Sequence, residues 1–213
     1  MKKMDLHHIR KDYTAGSLDE QSIPGSPFEL FSQWINQAIN HSEIIEPTAM
    51  ILSTVAIDGS PSSRVVLLKE VSDNGFTFFT NYQSRKGKEI SVHNKVSLLF
   101  FWPEMQRQIR IEGQAFKLEE NFNHEYFNSR PVESQIAAII SKQSEKANSK
   151  IEIMESYNDF SEKDQTPVKP AHWGGFRVIP AYFEFWQGGS HRLHDRITYQ
   201  QDSGIWTIGR LWP

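Results

Sequence analysis

The sequence predicts a mainly β protein with flanking helices, an α+β fold. Three observations carry that expectation. Short β-prone runs separated by turn residues recur between residues 49 and 118 and again between 175 and 210. Helical periodicity is confined to one stretch near residue 30 and a block between 121 and 160. At 213 residues the chain is long enough for one sizeable core. Strands joined mostly by short turns favour antiparallel pairing, and barrel closure is compatible with it.

Residues 1–24 are polar and carry Gly16 and Pro24, which reads as a mobile N-terminal arm ahead of a single domain over 25–213. Ser26-Pro27-Phe28-Glu29 has the composition of a helix start with a capping box. Phe28, Phe31, Trp34, Ile35, Ala38 and Ile39 follow at helical spacing and form a core-facing stripe. Residues 49–57 are β-prone, Asp58-Gly59 signals a hairpin, and Arg64 to Glu70 is β-prone again. A turn at 72–75 leads into a strand over 76–80, and strands over 95–102 and 106–118 follow. A helix is expected over 121–129. Pro131 breaks it, since the residue before proline avoids α geometry, and starts another. Residues 146–160 read as a charged helix and 161–170 as a loop. Strands are expected over 175–186, 192–199 and 205–210.

The formal net charge of −3 gives no global field toward nucleic acid or an anionic membrane, so anion binding must come from local clusters. The chain holds no cysteine, which removes disulfides and thiolate chemistry and fits a reducing cytoplasm. No apolar run follows the first lysines, so no secretory signal is expected. Runs such as Val65 to Leu68 are strand-sized and too short to span a bilayer. No His-Glu-x-x-His pattern and no Gly-x-Ser-x-Gly elbow occurs, so neither a metal nor a serine nucleophile is expected. An organic cofactor is left to carry the chemistry.

Four clusters bear cations. Arg64 to Lys69 is an apolar strand with a cation at each end, about 16 Å apart on opposite faces, able to serve two anions or merely to snorkel at a rim. Asn81 to Gly87 sets Arg85 and Lys86 beside serine and glycine, as a phosphate loop or a solvated turn. Tyr126, Arg130 and Ser134 are spaced by four around the proline break. They form either a phosphate cradle at a helix start or a cap with a surface arginine. Arg192, His194 and Arg196 alternate after Gly188-Gly189, so an extended chain puts all three on one face, for an anion or as edge-strand charges. Two phosphate-bearing ligands account for these clusters better than one.

Along nearly its whole length the chain resembles the pyridoxine/pyridoxamine 5′-phosphate oxidase family. The blocks that carry the resemblance are Pro47 to Met50, Arg64 to Lys69, Thr80-Asn81 with Ser84-Arg85-Lys86, Ser97 to Phe100, Arg107-Gln108, Tyr126-Phe127 with Ser129-Arg130-Pro131, Ser134 to Ile136, Ser141 to Ser144, Trp173 to Val178, and Phe185 to Gly189 with Arg192 to Arg196. The resemblance implies an FMN-binding split β-barrel, homodimeric, with FMN between the subunits. It implies oxidation of pyridoxamine or pyridoxine 5′-phosphate to pyridoxal 5′-phosphate by dioxygen, yielding hydrogen peroxide and, from the amine, ammonia. By position, Arg64, Val65, Val66, Leu67, Leu68, Lys69, Phe79, Thr80, Arg85, Lys86, Gln108, Gln143, Ser144, Trp186 and Arg196 correspond to FMN contacts. Lys69, Tyr126, Arg130 and Ser134 correspond to the substrate phosphate site. Arg192, Leu193 and His194 correspond to residues over the substrate ring, with Arg192 and His194 as the catalytic pair. Arg10 and Tyr13 match a segment that closes over the substrate, which makes the arm a lid.

Three positions depart from the family pattern: Glu46 for a usual aspartate, His172 for an apolar or aromatic residue, and Trp212 for a usual alanine. None removes a phosphate ligand. Two rival classes remain. A split-barrel flavin or nicotinamide-dependent reductase keeps the fold and predicts flavin reduction by a nicotinamide. A pyridoxal-phosphate carrier, or a barrel for single-stranded nucleic acid, predicts no oxygen uptake; nucleic-acid binding is disfavoured by the acidic balance.

Overall fold

The structure, a computed structural model, describes residues 4–9, 12–163 and 165–213. The chain falls into two compact units. Unit 1 holds Met1–Thr48, Leu99–Ile111 and Ala181–Pro213, and unit 2 holds Ala49–Leu98 and Glu112–Pro180. The strands are β1 (Ala49–Val55), β2 (Pro61–Leu67), β3 (Glu70–Ser72), β4 (Gly75–Asn81), β5 (Lys95–Trp102), β6 (Arg107–Lys117), β7 (Trp173–Gln187), β8 (Asp195–Asp202) and β9 (Ile205–Arg210). They follow the order β2-β1-β5-β6-β7-β4-β3, with β8 on β7 and β9 on β8. The helices are α1 (Pro27–Ile39), α2 (Arg85–Val92), α3 (Glu120–Ser129), α4 (Val132–Ile140) and α5 (Lys150–Ser161).

In unit 2, β1 and β2 form the expected hairpin, with Met50 opposite Val66 and Leu52 opposite Arg64. Its turn places Gly59 at φ +84, a left-handed conformation that glycine adopts without a Cβ penalty. Met50, Leu52 and Thr54 point inward on alternate positions of β1. The first half of β7 pairs with β4, bringing Phe78 opposite Phe176 in the core. Helix α2 starts where Ser84 accepts a hydrogen bond from Gly87 N–H.

Gly87 has no room for a side chain. A Cβ there would lie 2.2 Å from the Tyr82 carbonyl oxygen, a backbone atom that cannot step aside. Gly87→Ala is therefore expected to cost at least about 2 kcal/mol and to lower the melting temperature by about 4–8 °C in a thermal scan.

In unit 1, α1 lays its stripe on the sheet, except for Ile39, which was expected in the core and is 54% exposed at the last residue of the helix. Phe31 meets Phe100 edge-on at 5.2 Å, and Trp34 meets Phe185 at 5.3 Å. The second half of β7 pairs with β8, and β8 with β9. The arm from Tyr13 onward is tied down: Thr14 and Ala15 N–H donate to Gln106 Oε1, Leu18 N–H donates to Asp195 Oδ2, and Arg210 pairs with Glu20.

Four expectations need correction. Ser26 makes no side-chain cap bond, so the capping box does not form. The phosphate-loop stretch is the start of α2, an unexpected helix. The charged helix begins at Lys150, not 146, because Ser149 is the residue that caps it, accepting from Glu152 N–H. The last basic segment is not extended from residue 192. Ser190–Arg192 is a tight turn with His191 at φ 55 and Arg192 at φ 64, and β8 starts only at Asp195.

Candidate active site

A cavity of about 780 Å³ opens in unit 2. Five cations line it: Arg64, Lys69, Arg85, Lys86 and Arg130, with no carboxylate among the lining residues. In a chain of net charge −3 that concentration marks an anion site. The cations come from separate elements. β2 gives Arg64 and ends at Leu67, and Lys69, two residues beyond the strand, lines the same cavity. The first two residues of α2 give Arg85 and Lys86, and Arg130 closes the end of α3.

Two of these cations, Lys86 and Arg130, are held by what surrounds them. Lys86 is buried, and its Nζ donates to Gln143 Oε1 at 2.7 Å, Thr80 Oγ1 at 2.9 Å and Ser84 Oγ at 3.3 Å. Burial, aided by the nearby Arg64 charge, pulls its pKa down to about 8. Arg130 lies over Trp173, its guanidinium carbon 4.7 Å from the ring centroid. Trp173 itself is part of an aromatic stack: Phe79 lies 3.9 Å from Tyr126 and 5.4 Å from Trp173, centroid to centroid. Burial lowers the Arg130 pKa and raises that of Tyr126, while each offsets the other's shift. Arg130 NH1 is buried and has no hydrogen-bond partner among the described residues. A buried guanidinium nitrogen left without an acceptor is costly, and a ligand oxyanion would supply one.

Of the residues expected at FMN, Arg64, Val65, Val66, Leu67, Lys69, Phe79, Thr80, Arg85, Lys86, Gln143 and Ser144 all line this cavity. Leu68 does not; it is buried in the core. Of the expected phosphate cradle, Lys69, Tyr126 and Arg130 line the cavity, whereas Ser134, half-buried on the first turn of α4, is not among its lining residues. Gln108, Trp186 and Arg196 belong to unit 1.

Unit 1 has its own cavity of about 590 Å³, lined by Tyr13, Arg192 and His194 with Ile9, Asp12, Gly189 and His191. Tyr13 packs edge-on against Trp186 at 5.7 Å and against His194 at 5.6 Å, and Trp186 lies 4.8 Å from His194. Gly189 N–H donates to His194 Nδ1 at 3.2 Å, so the neutral ring carries its proton on Nε2. The two consecutive left-handed residues before Leu193 hold Arg192 at a backbone cost of about 1–2 kcal/mol each. Leu193 is exposed. Arg196 is held by Glu184, Nε to Oε1 at 2.8 Å. The expected lid residue Arg10 lies outside the described residues.

Several residues that shape the unit 2 cavity carried no assigned role in the sequence. Trp173 is the platform for Arg130, and Ser62, Ser63 and Asn81 add polar lining. Of the departures, Glu46 is exposed and accepts from Thr48 Oγ1 at 2.7 Å. His172 Nε2 stands 3.4 Å from the Ala138 carbonyl. Trp212 is 91% exposed.

Known proteins resemble the chain along nearly its whole length. A sequence model described as pyridoxamine 5′-phosphate oxidase matches residues 37–156, and one described as the pyridoxine 5′-phosphate oxidase C-terminal dimerisation region matches residues 173–213. The chain is 45% identical to the pyridoxine/pyridoxamine 5′-phosphate oxidase of Shewanella sediminis over 98% of its own length and 99% of the relative's. It is 45% identical to that of Neisseria meningitidis serogroup C, over 99% and 100%. Among solved structures it is similar to PhzG from Burkholderia lata 383 in complex with tetrahydrophenazine-1-carboxylic acid, with a TM-score of 0.85 and 32% identity over 93% of this chain and 100% of that one. An FMN-binding protein from Nostoc punctiforme shares the fold at a TM-score of 0.73 and 12% identity, over 90% and 100%. The fold class is the expected one, an α+β split β-barrel with flanking helices. With both halves matched in order and relatives alike from end to end, the chain belongs to the pyridoxine/pyridoxamine 5′-phosphate oxidase family.

Proposed function

We propose that the protein is an FMN-dependent pyridoxal 5′-phosphate synthase. It oxidises pyridoxine 5′-phosphate with dioxygen to pyridoxal 5′-phosphate and hydrogen peroxide. From pyridoxamine 5′-phosphate, dioxygen and water it forms the same aldehyde and peroxide together with ammonia. The observation that carries this reading is the carboxylate-free, five-cation cavity in which Arg130 NH1 lacks a partner, in a chain of this family. The residues present fit a flavin phosphate and a vitamer phosphate.

Bound FMN would supply the two-electron redox chemistry between C4′ of the vitamer and dioxygen. The protein's own groups bind and orient. Arg64, Arg85 and Lys86 hold the flavin phosphate, with Gln143 and Thr80 aiming Lys86. Lys69, Tyr126 and Arg130 hold the ester phosphate of the vitamer, with Ser134 near the start of α4. The phosphate does not react, so its binding energy is available for positioning C4′. Arg192 and His194 are assigned to the pyridine ring and its 3′ oxygen. With Nδ1 occupied by Gly189, neutral His194 offers only its Nε2–H as a donor. Tyr13, packed on Trp186 and His194, is assigned to closure over the substrate together with Arg10. The protein is a homodimer through its C-terminal dimerisation region, and in our reading FMN binds between the subunits. We also assign it to the cytoplasm: the chain has no cysteine, and among the described residues no helix is long and apolar enough to cross a membrane.

The test is anaerobic flavin bleaching. Pyridoxamine 5′-phosphate is expected to bleach the yellow bands of the loaded enzyme within turnover time, and air to restore them. Rapid bleaching by NADH or NADPH with none by the phosphorylated vitamer would establish the reductase reading instead.

A further inference from the structure

We infer that Glu89 is the positioning residue of the flavin-phosphate site, fixing the guanidinium groups of both Arg64 and Arg85 so that recognition of the phosphate, rather than of the flavin ring, depends on it. The inference rests on the flavin reading above. Glu89 is buried, 6% exposed, on α2, and it is not one of the cavity's lining residues. It therefore acts through others. Its Oε1 accepts from Arg85 Nε at 2.8 Å. Its Oε2 accepts from Thr54 Oγ1 at 2.5 Å and Ser62 Oγ at 2.7 Å, and lies 3.4 Å from Arg64 NH2.

The same two hydroxyls receive Arg64. Its NH1 donates to Thr54 Oγ1 at 2.5 Å and its NH2 to Ser62 Oγ at 2.5 Å. A carboxylate can only accept, so both hydroxyls must turn their protons toward Glu89 and their lone pairs toward Arg64. One buried charge thus sets the polarity of the two hydroxyls and anchors one edge of each arginine. Burial alone would raise the Glu89 pKa, but the bonds from Thr54, Ser62 and Arg85 outweigh it and hold the carboxyl at about 2. The carboxyl is thus held ionised at neutral pH.

Simple electrostatics points the other way, since an anion near a phosphate should repel it. The experiment separates the two effects. Apoprotein is titrated with FMN and with riboflavin, which has the ring but no phosphate, and binding is read from flavin fluorescence. Glu89→Gln places an amide that can donate to the hydroxyls and reverse them. It is expected to cut the FMN-over-riboflavin preference by about 10-fold or more while riboflavin affinity stays within about 2-fold. Thr54→Val removes one hydroxyl of the network at nearly constant shape and is expected to cut the same preference by about 3-fold. It decides the matter if Glu89→Gln does not fold.

Unchanged preference in the variants, tighter FMN binding by Glu89→Gln, or equal loss of both ligands overturns the inference. A wild-type protein that does not prefer FMN to riboflavin overturns the reading of the site itself, and the inference with it.

Discussion

Arg130→Met is expected to lower kcat/KM for pyridoxamine 5′-phosphate by about 10²–10³-fold, a loss of about 3–4 kcal/mol. The magnitude follows from the burial of the guanidinium, its position over Trp173, and the NH1 nitrogen that has no acceptor among the described residues. Methionine keeps an apolar body against the indole, so the loss reports the missing charge and donors more than lost packing. Steady-state oxygen uptake with pyridoxamine, which lacks the phosphate, provides the control. That slow rate is expected to change by no more than about 3-fold, because Arg130 is assigned to the phosphate alone. Equal loss on both substrates would mean that Arg130 supports the fold or the ring instead.

Lys86→Met is the second large effect, expected to weaken FMN binding by about 10–100-fold, as the loss of a charge-assisted bond would. It also carries a pH signature. In the ligand-free protein, burial lowers the Lys86 pKa from 10.5 to about 8. The folded state thus releases this proton before the unfolded state does. The cost of burying the charge is present below about pH 8 and is relieved as pH rises from about 8 toward 10.5, so this group makes the apoprotein more stable across that window. Phosphate binding runs in the opposite direction. A bound dianion raises the Lys86 pKa, binding takes up a proton, and FMN affinity falls as pH rises through about 8. Titrations between pH 6.5 and 9.5 should show that fall in the wild type and its absence in Lys86→Met.

How much of this was legible in the sequence depended on the range of the signal. The stripe of α1 and the β1–β2 hairpin were readable because their causes are local: 3.6-residue periodicity in one case and Asp58-Gly59 in the other. Helix α2 was hidden because Gly87 weakens the helical pattern, while Ser84, its cap, resembles a phosphate-loop donor. Arg192 and His194 line one cavity, but Arg196, grouped with them, does not, and the expected shape of the segment is wrong. Alternation presumes an extended chain, and two successive left-handed residues replace it with a turn. The end of β2 was not readable either: the strand stops at Leu67, short of Lys69, a boundary that apolar content alone cannot mark. Glu89 was invisible for a different reason. In Lys86-Gly87-Lys88-Glu89 it reads as one more solvated charge, and only the hairpin carrying Thr54 and Ser62 buries it.

The most direct measurement is a crystal structure of the protein loaded with FMN and pyridoxal 5′-phosphate. The account requires the flavin phosphate on Arg64, Arg85 and Lys86, and the vitamer phosphate on Lys69, Tyr126 and Arg130, with an oxygen of the latter within hydrogen-bond distance of Arg130 NH1. A vitamer phosphate bound away from Arg130, or a flavin phosphate that leaves Lys86 bonded only to Gln143, Thr80 and Ser84, would contradict it.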